Sequence, residues 1–469
     1  MLRELPFYIA GLSLMAVCGV ALTTPYYFVA PLIPLSLLGM LVLYRFPQWG
    51  LLALAFLVPL EGLFAGNNLF TGAKLIGIAL IGIASLKILR REIPLETLKT
   101  PLWYPIILLI FVFFMSSAYS PYPQLSNTTL RQLVTAISVF YIALTLKNHI
   151  DLVMLMRVIV VSVAITAFLP LISSEHTVEE RAIGLLTDPN YFALLLTTAI
   201  PMALYLCFYE RYRLLKLVWI GALALILLAF QKTLSRSGIV ILVISFMLLA
   251  WHYREELRRL TAAQVGLIFV GGILALMITF ASLPESYRDR ILSITNITSG
   301  VEAFDDRSMG RRTSYIVVGM NVFLENPVIG SGPGTFPVHY AKTGYATAFS
   351  LDSDDPELFR RAHNTYLETL AETGALGLVA LLAIMLLGIR QFMRARRIAL
   401  RHQQFQHAHM IAHMGISLVA IMLFMLFLTG LTNKFLWILL AMGSQLLDHA
   451  NRMSPVTSPE DQRGRHEQG

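Results

Sequence analysis

Charged residues are scarce in this chain. Asp, Glu, Lys and Arg together supply 14% of its 469 residues, too little polar surface to clothe a water-soluble fold of that length. Cysteine is nearly missing. Cys18 and Cys207 are the only two, and both fall in apolar stretches, so a disulfide framework is excluded and no thiolate set is left for a metal. No Gly-x-Ser-x-Gly elbow occurs, so a serine hydrolase has nothing to rest on. No internal repeat is visible, and no small-residue cleavage site with a soluble domain behind it follows the first apolar stretch. That stretch reads as a retained helix and not as a removable leader.

Apolar sequence is what the chain has in quantity. It is 56% hydrophobic, with a mean hydropathy of +0.67. Runs such as Ile106–Met115 and Gly238–Trp251 suit the hydrocarbon layer of a bilayer, about 30 Å thick. The sequence predicts an all-α polytopic membrane protein. Roughly fourteen helical spans are expected, at 6–23, 26–44, 50–66, 73–90, 102–119, 130–147, 151–172, 190–208, 216–231, 238–253, 264–282, 365–389, 411–430 and 434–449. Short or Pro-broken spans widen that to about 12–14 transmembrane helices. Arginine and lysine gather in alternate loops: Arg45; Lys87, Arg90, Arg91 and Lys99; Lys147; Arg211, Arg213 and Lys216; Arg254, Arg258 and Arg259; and Arg390 to Arg401. The positive-inside rule puts these loops in the cytoplasm. An even number of spans then leaves both termini there. The net charge of +8 is thereby accounted for by topology, and no nucleic-acid partner is implied.

The chain divides into an N-terminal transmembrane bundle (1–282), a large periplasmic loop (283–364), C-terminal transmembrane helices (365–449) and a polar cytoplasmic tail (450–469). The loop is not structureless. Tyr315, Val318, Val322 and Phe323 form a helical stripe over 311–325, and Asn326-Pro327 stops it. Gly330-Ser-Gly332-Pro-Gly334 is a tight turn. Short amphipathic helices are expected to lie over the outer mouth of the bundle.

Arginines also occur on that outer side, where the topology rule would remove them. Arg181 follows two glutamates and precedes Asp188-Pro189-Asn190. Arg236 lies in Thr233-Leu-Ser-Arg-Ser-Gly238, Arg311 and Arg312 open the loop helix, and Arg360 and Arg361 precede His363. A guanidinium offers a planar fork of donors that fits phosphate oxygens. The plainer alternative pairs each with a loop acid such as Asp305, Asp306, Asp352 or Asp355. Thr365-Tyr-Leu-Glu368 fits a capping box, so a helix is expected to start just after His363. An electropositive helix start and neighbouring arginines both disfavour imidazolium, and a neutral imidazole can accept a proton from a hydroxyl. Taken alone, a histidine at a membrane interface is an amphipathic anchor.

Together the stretches have a familiar form. Arg361-Ala-His363-Asn-Thr-Tyr-Leu-Glu368-Thr-Leu-Ala-Glu372-Thr-Gly374-Ala-Leu-Gly377 resembles the histidine signature of the bacterial O-antigen ligase and polymerase superfamily. Gly310-Arg311-x-x-x-Tyr315, then Glu325-Asn326-Pro327-x-x-Gly330-x-Gly332-Pro333-Gly334-x-Phe336, is similar to the same family's preceding segment. Asp188-Pro189-Asn190 and Thr233-Leu-Ser-Arg236-Ser-Gly238 match as well, so the resemblance covers about residues 180–380. The family usually carries tryptophan where this chain has Tyr315. The resemblance implies a glycosyltransferase of the bacterial inner membrane that takes a glycan from undecaprenyl diphosphate on the periplasmic side. The glycan passes to a sugar hydroxyl of lipid A core or of another lipid-linked repeat. His363 would deprotonate or orient that hydroxyl. Arg181 with Arg311 or Arg312 would hold the diphosphate, and Arg236, Arg360 and Arg361 are further candidates for that clamp. The implied reaction inverts the anomeric centre and needs neither cofactor nor metal.

Other signals count for less. Asp352-Ser-Asp354-Asp355 has the D-x-D form that can hold a divalent cation, but it also suits a solvated loop. His407-x-His409-x3-His413 has ligand spacing at a cytoplasmic interface, where anchoring is the simpler account. Glu61 is an intramembrane acid without an evident partner. A transporter or flippase of the same lipid-linked sugar is the rival function. It would place its charges at the bilayer midplane and show two related halves. A structural scaffold would leave the outer arginines and His363 unexplained.

Overall fold

The computed structural model describes residues 32–64, 72–178, 180–261, 307–349 and 358–452, with a few isolated positions besides. The expected spans 6–23 and 264–282 apart from such isolated positions, the tail beyond Arg452, and Asp305, Asp306, Asp352, Asp354 and Asp355 lie outside them. The protein is an all-α polytopic membrane protein. Among the described residues the strands amount to one small hairpin, Thr177–Val178 with Arg181–Ala182.

The helices follow the apolar runs. Those before the first outer hairpin are α1 (Leu32–Arg45), α2 (Pro47–Leu57, extended as a 3-10 turn to Phe64), α3 (Gly72–Leu89), α4 (Trp103–Ala118), α5 (Pro123–Thr145) and α6 (Leu152–Ile172). After it come α7 (Pro189–Tyr209), α8 (Arg213–Lys232), α9 (Arg236–His252) and the short α10 (Arg254–Arg258). A layer beside the start of the Thr365–Arg401 helix, expected to lie outside and called the outer layer, holds α11 (Arg307–Glu325), α12 (Phe336–Ala341) and α13 (Gly344–Phe349). The chain then runs through α14 (Thr365–Arg401), α15 (Phe405–Phe424) and α16 (Lys434–Asn451). Each expected span that falls on described residues overlaps a helix, although the helix in the expected span 411–430 ends at Phe424 and α16 is not among the helices long and apolar enough to cross a membrane.

Among the described residues seven helices are long and apolar enough to cross a membrane, and α4 and α9 are apolar but shorter. The spans expected at 26–44 and 50–66 are not two independent crossings. Their helices meet at a 109° bend, the geometry of a broken span or a re-entrant pair. The bend falls at Phe46, which is non-helical (φ −132°, ψ 64°), because the ring of Pro47 crowds the residue before it out of the helical region.

Burial separates an inner bundle from a lipid-facing shell. α7, α15 and α16 are buried over most of their length, with Phe192–Leu196 and Phe435–Met442 inaccessible on nearly every side. A helix apolar all round belongs in such an interior. α14 packs against α4, α15 and α16, and a Cβ on Gly388 would lie 2.5 Å from Leu440. α3 and α8 are the opposite case, presenting Leu75, Ile78, Leu214 and Leu217 outward.

The outer layer has its own apolar core of Tyr315, Val318, Val322, Phe336, Tyr340, Ala346, Ala362, Leu367 and Ala371. Three of the four residues in the expected stripe of α11 are in it. The helix starts at Arg307, a turn earlier than the stripe, and ends at Glu325 as expected.

Candidate functional site

The site begins with a break in α14. Gly374 adopts φ 66°, ψ −169° inside the helix, and the glycine turn fills the gap. Ser331 N–H donates to Ala371 O (3.1 Å), Gly332 N–H to Glu372 O (2.9 Å) and Ala375 N–H to Pro327 O (2.8 Å). The buried Glu372 carboxylate accepts from Gly334 N (2.7 Å) and Phe336 N (3.0 Å). Glycine is required on both sides of this seam. A Cβ on Gly330 would fall 2.2 Å from the Glu372 carbonyl carbon, and one on Gly374 2.3 Å from that of Val328. Both also have positive φ. The motif glycines therefore weld the outer layer to a membrane helix.

That weld fixes the turn carrying His363. The cap of α14 differs by one residue from the expected box. Asn364, not Thr365, is the N-cap and accepts from Tyr366 N (3.0 Å) and Leu367 N (3.1 Å). Glu368 reaches back to Ala362 N (3.2 Å), while Thr365 is drawn to the α15–α16 loop, donating its N–H to Met425 O and its hydroxyl to Leu428 O (2.6 Å). The tertiary contact outweighs the local one. His363 has φ 46°, a left-handed conformation that a side chain with a Cβ adopts at a cost. Its ring lies 6.1 Å from that of Tyr315.

Burial lowers the pKa of His363 below the ordinary histidine value, and the charges of Arg312, Arg360 and Arg361 push the same way while Asp188 opposes them. That direction favours the neutral imidazole, the form expected from the sequence, with burial as its largest cause. Arg360 and Arg311 both act on Tyr315, and Arg360 is hydrogen-bonded to its hydroxyl. Burial is nonetheless the larger influence there, raising the phenol. Arg312 stacks over Phe427 at 5.7 Å, and Arg361 lies 3.4 Å from Glu368.

Arg181 and Arg236 belong to an adjoining layer. Arg181 donates to Thr233 O (2.9 Å) and to Asn190 Oδ1 (3.3 Å), and Ser235 donates to the same Asn190 oxygen (2.8 Å). Arg236 follows Ser235 as the first residue of α9. Asp188, the N-cap of α7, joins the two layers through its field on His363. The N-termini of α7, α9, α14 and α16 come together in this region, each capped by a side chain: Asp188, Ser235, Asn364 and Asn433. Asn190 ties α7 to α9, Tyr191 interacts with Asn433, and Thr365 binds the loop before α16. Helix N-termini attract anions, and several together make an electropositive basin.

Residues 221–382 match the family model described as O-antigen ligase, and no curated protein matches the chain. The match supports assignment to the O-antigen ligase and polymerase superfamily. It runs from the middle of α8 through α9, the outer layer, the glycine turn and the His363 turn into α14. Arg236, Arg311, Arg312, Arg361 and His363 fall inside it, while Arg181 and Asp188 precede it. The match supports ligase- or polymerase-type activity in general terms.

Sequence reading gave Glu368 only a place in a capping box and Glu372 no role, although both sit in an apolar run where a buried acid signals a task. It also left Glu61 without a partner. In the structure Glu61 forms an ion pair with Lys434 at the start of α16. His409 and His413 pack with His252, Tyr209 and Tyr253 at the far end of the bundle, and His407 lies against His449. Among the described residues no group of three or more His, Cys, Asp or Glu is set to hold a metal.

Proposed function

We propose that the protein transfers a glycan from undecaprenyl diphosphate to a sugar hydroxyl at the periplasmic face of the bacterial inner membrane. The observation that carries this reading is the placement of His363 beside convergent helix N-termini, with Arg312, Arg360 and Arg361 near enough to oppose its protonation. A base and an anion site adjoin there, the two things such a displacement requires. The acceptor oxygen attacks the anomeric carbon, and the bond from that carbon to the diphosphate oxygen breaks with its electron pair leaving on the diphosphate. His363 takes the hydroxyl proton as the attack proceeds. Arg312 and Arg360, with Arg311, Arg361, Arg181 and Arg236 around them, stabilise the charge growing on the leaving group. One displacement inverts the anomeric centre, and the energy is already stored in the sugar–diphosphate bond. With cations supplied by arginine, a divalent metal is redundant.

Charges gathered at one end of the bundle favour chemistry at a rim over carriage through the midplane. The acceptor is lipid A core for a ligase or a second lipid-linked repeat for a polymerase. The test is incubation of purified full-length protein with undecaprenyl-diphosphate-linked repeat, with and without lipid A core, and gel separation of the products. Growth of the lipid-linked chain without core identifies a polymerase, and transfer only onto core identifies a ligase. No new glycosidic product in either arm, with donor moved across vesicles instead, defeats the reading in favour of a flippase.

A further inference from the structure

Glu368 lies one turn inside α14 and is buried, with only 5% of its surface exposed. It faces back toward the histidine turn. One carboxylate oxygen accepts from Ala362 N (3.2 Å) and from the Thr429 hydroxyl (2.6 Å), and the other lies 3.4 Å from an Arg361 guanidinium nitrogen. Arg361 and Ala362 are the two residues directly before His363. On the other side of the histidine, Thr365 is bound to Met425 O and Leu428 O through its amide, to Leu428 O through its hydroxyl, and accepts from Gly430 N (2.9 Å). The backbone is thus held on both flanks of a residue in the left-handed region. Such a conformation persists only where the surroundings over-determine it. Glu368 supplies the upstream half of that restraint and couples it to the α15–α16 loop through Thr429.

We propose that Glu368 is the positioning residue for His363. Its carboxylate fixes the Arg361–Ala362 backbone and the Arg361 guanidinium so that the imidazole meets the acceptor hydroxyl at the angle proton transfer needs. The role rests on the reading of His363 as the base. A base must sit within hydrogen-bond reach of the proton it removes, and displacement of a reacting group by about 1 Å costs on the order of 100-fold in rate. A carboxylate that merely stapled the α15–α16 loop would act on folding and leave the turnover of folded protein unchanged.

The experiment compares Glu368→Ala, Glu368→Gln and His363→Ala with the unaltered full-length protein in lipid nanodiscs. Initial rates are measured against the concentration of undecaprenyl-diphosphate-linked repeat, and unfolding temperatures are recorded for each. Glu368→Ala is expected to lower kcat by about 100-fold, with KM for the donor within about threefold of the original. Glu368→Gln keeps an oxygen for the Ala362 amide and should recover about tenfold of that loss. If Glu368→Ala does not fold, Thr429→Val removes one bond to the same carboxylate and should lower kcat at unchanged KM and unfolding temperature. Glu368→Ala, or in its absence Thr429→Val, turning over at the original kcat overturns the positioning role. So does a Gln variant no better than Ala. An inactive His363→Ala beside a fully active Glu368→Ala defeats the positioning role alone, whereas an active His363→Ala defeats the base itself and the positioning role with it.

Discussion

His363 shows how much one side chain depends on its surroundings. A solvated imidazole titrates near pH 6.5. Here burial, Arg312, Arg360 and Arg361 together outweigh Asp188 and hold it lower. The sign of the pH dependence follows. The neutral form that can accept a proton prevails through neutral pH, and protonation comes only in more acid solution. The kcat–pH profile should therefore be flat across neutrality, with an acid limb midpoint below the ordinary histidine value. Replacing Arg312 by Gln removes one charge that opposes protonation, so that midpoint should move up. A limb at or above the ordinary value, or one that moves down in the Arg312→Gln variant, contradicts the assigned surroundings. The histidine, its neighbouring cations and its place at a helix start were legible in the sequence because they are adjacent in the chain. Asp188 was visible only as part of a motif, since its field on His363 depends on two segments meeting in space. The cap at Asn364 was misread by one position because Thr365 has a stronger engagement with the α15–α16 loop.

Among the elements, α14 decides most. It is a membrane helix interrupted one-quarter of the way along by Gly374 and repaired by a turn from the outer layer. Gly374→Ala places a Cβ against the Val328 carbonyl and forces a side-chain-bearing residue into positive φ. Strain at such a position costs about 1–3 kcal/mol, and the backbone collision adds to it. The variant should unfold at a lower temperature and lose transfer, as measured by thermal unfolding in detergent and by the gel assay. Gly77→Ala serves as the control, because nothing lies within 4 Å of its Cβ position, and it should behave as the parent. Periodicity located the helix and composition flagged the turn, but neither gave the docking of one into the other. That contact joins residues some forty positions apart through backbone atoms, which carry no sequence signature. The bend at Phe46 is the converse case. Its cause, Pro47, stands in the sequence, yet two apolar runs separated by a few residues read equally well as two straight spans.

Across the whole molecule, the two ends of the bundle differ in chemistry. The end opposite His363 carries the basic extension of α14, from Arg390 to Arg401, which lines a cavity of about 630 Å³ with Leu386, Ile389, Met393 and Ile398. Another cavity, about 560 Å³, is lined there by Lys147, Asp151, His407, Asp448, His449 and Arg452. The end with the candidate site sets its arginines beside the capped N-termini of α7, α9, α14 and α16. If those arginines bear the diphosphate charge, transfer by purified protein should be unchanged when EDTA is added in excess over all divalent ions. Loss of activity that Mg or Mn restores would turn attention to Asp352 and Asp354. The expected sidedness rests on counting Lys and Arg, a property of the whole sequence that does not hang on any single span boundary.

The seam at Gly374 constrains how substrates reach the base. Lifting the outer layer from α14 would strip the amides of Ser331, Gly332, Gly334, Phe336 and Ala375 of their partners together, at about 1–3 kcal/mol for each one left buried. Such a sum rivals the stability of an entire domain. The outer layer is thus a fixed abutment on α14, and if the proposed polyprenyl donor is taken up, whatever yields to admit it lies elsewhere in the fold.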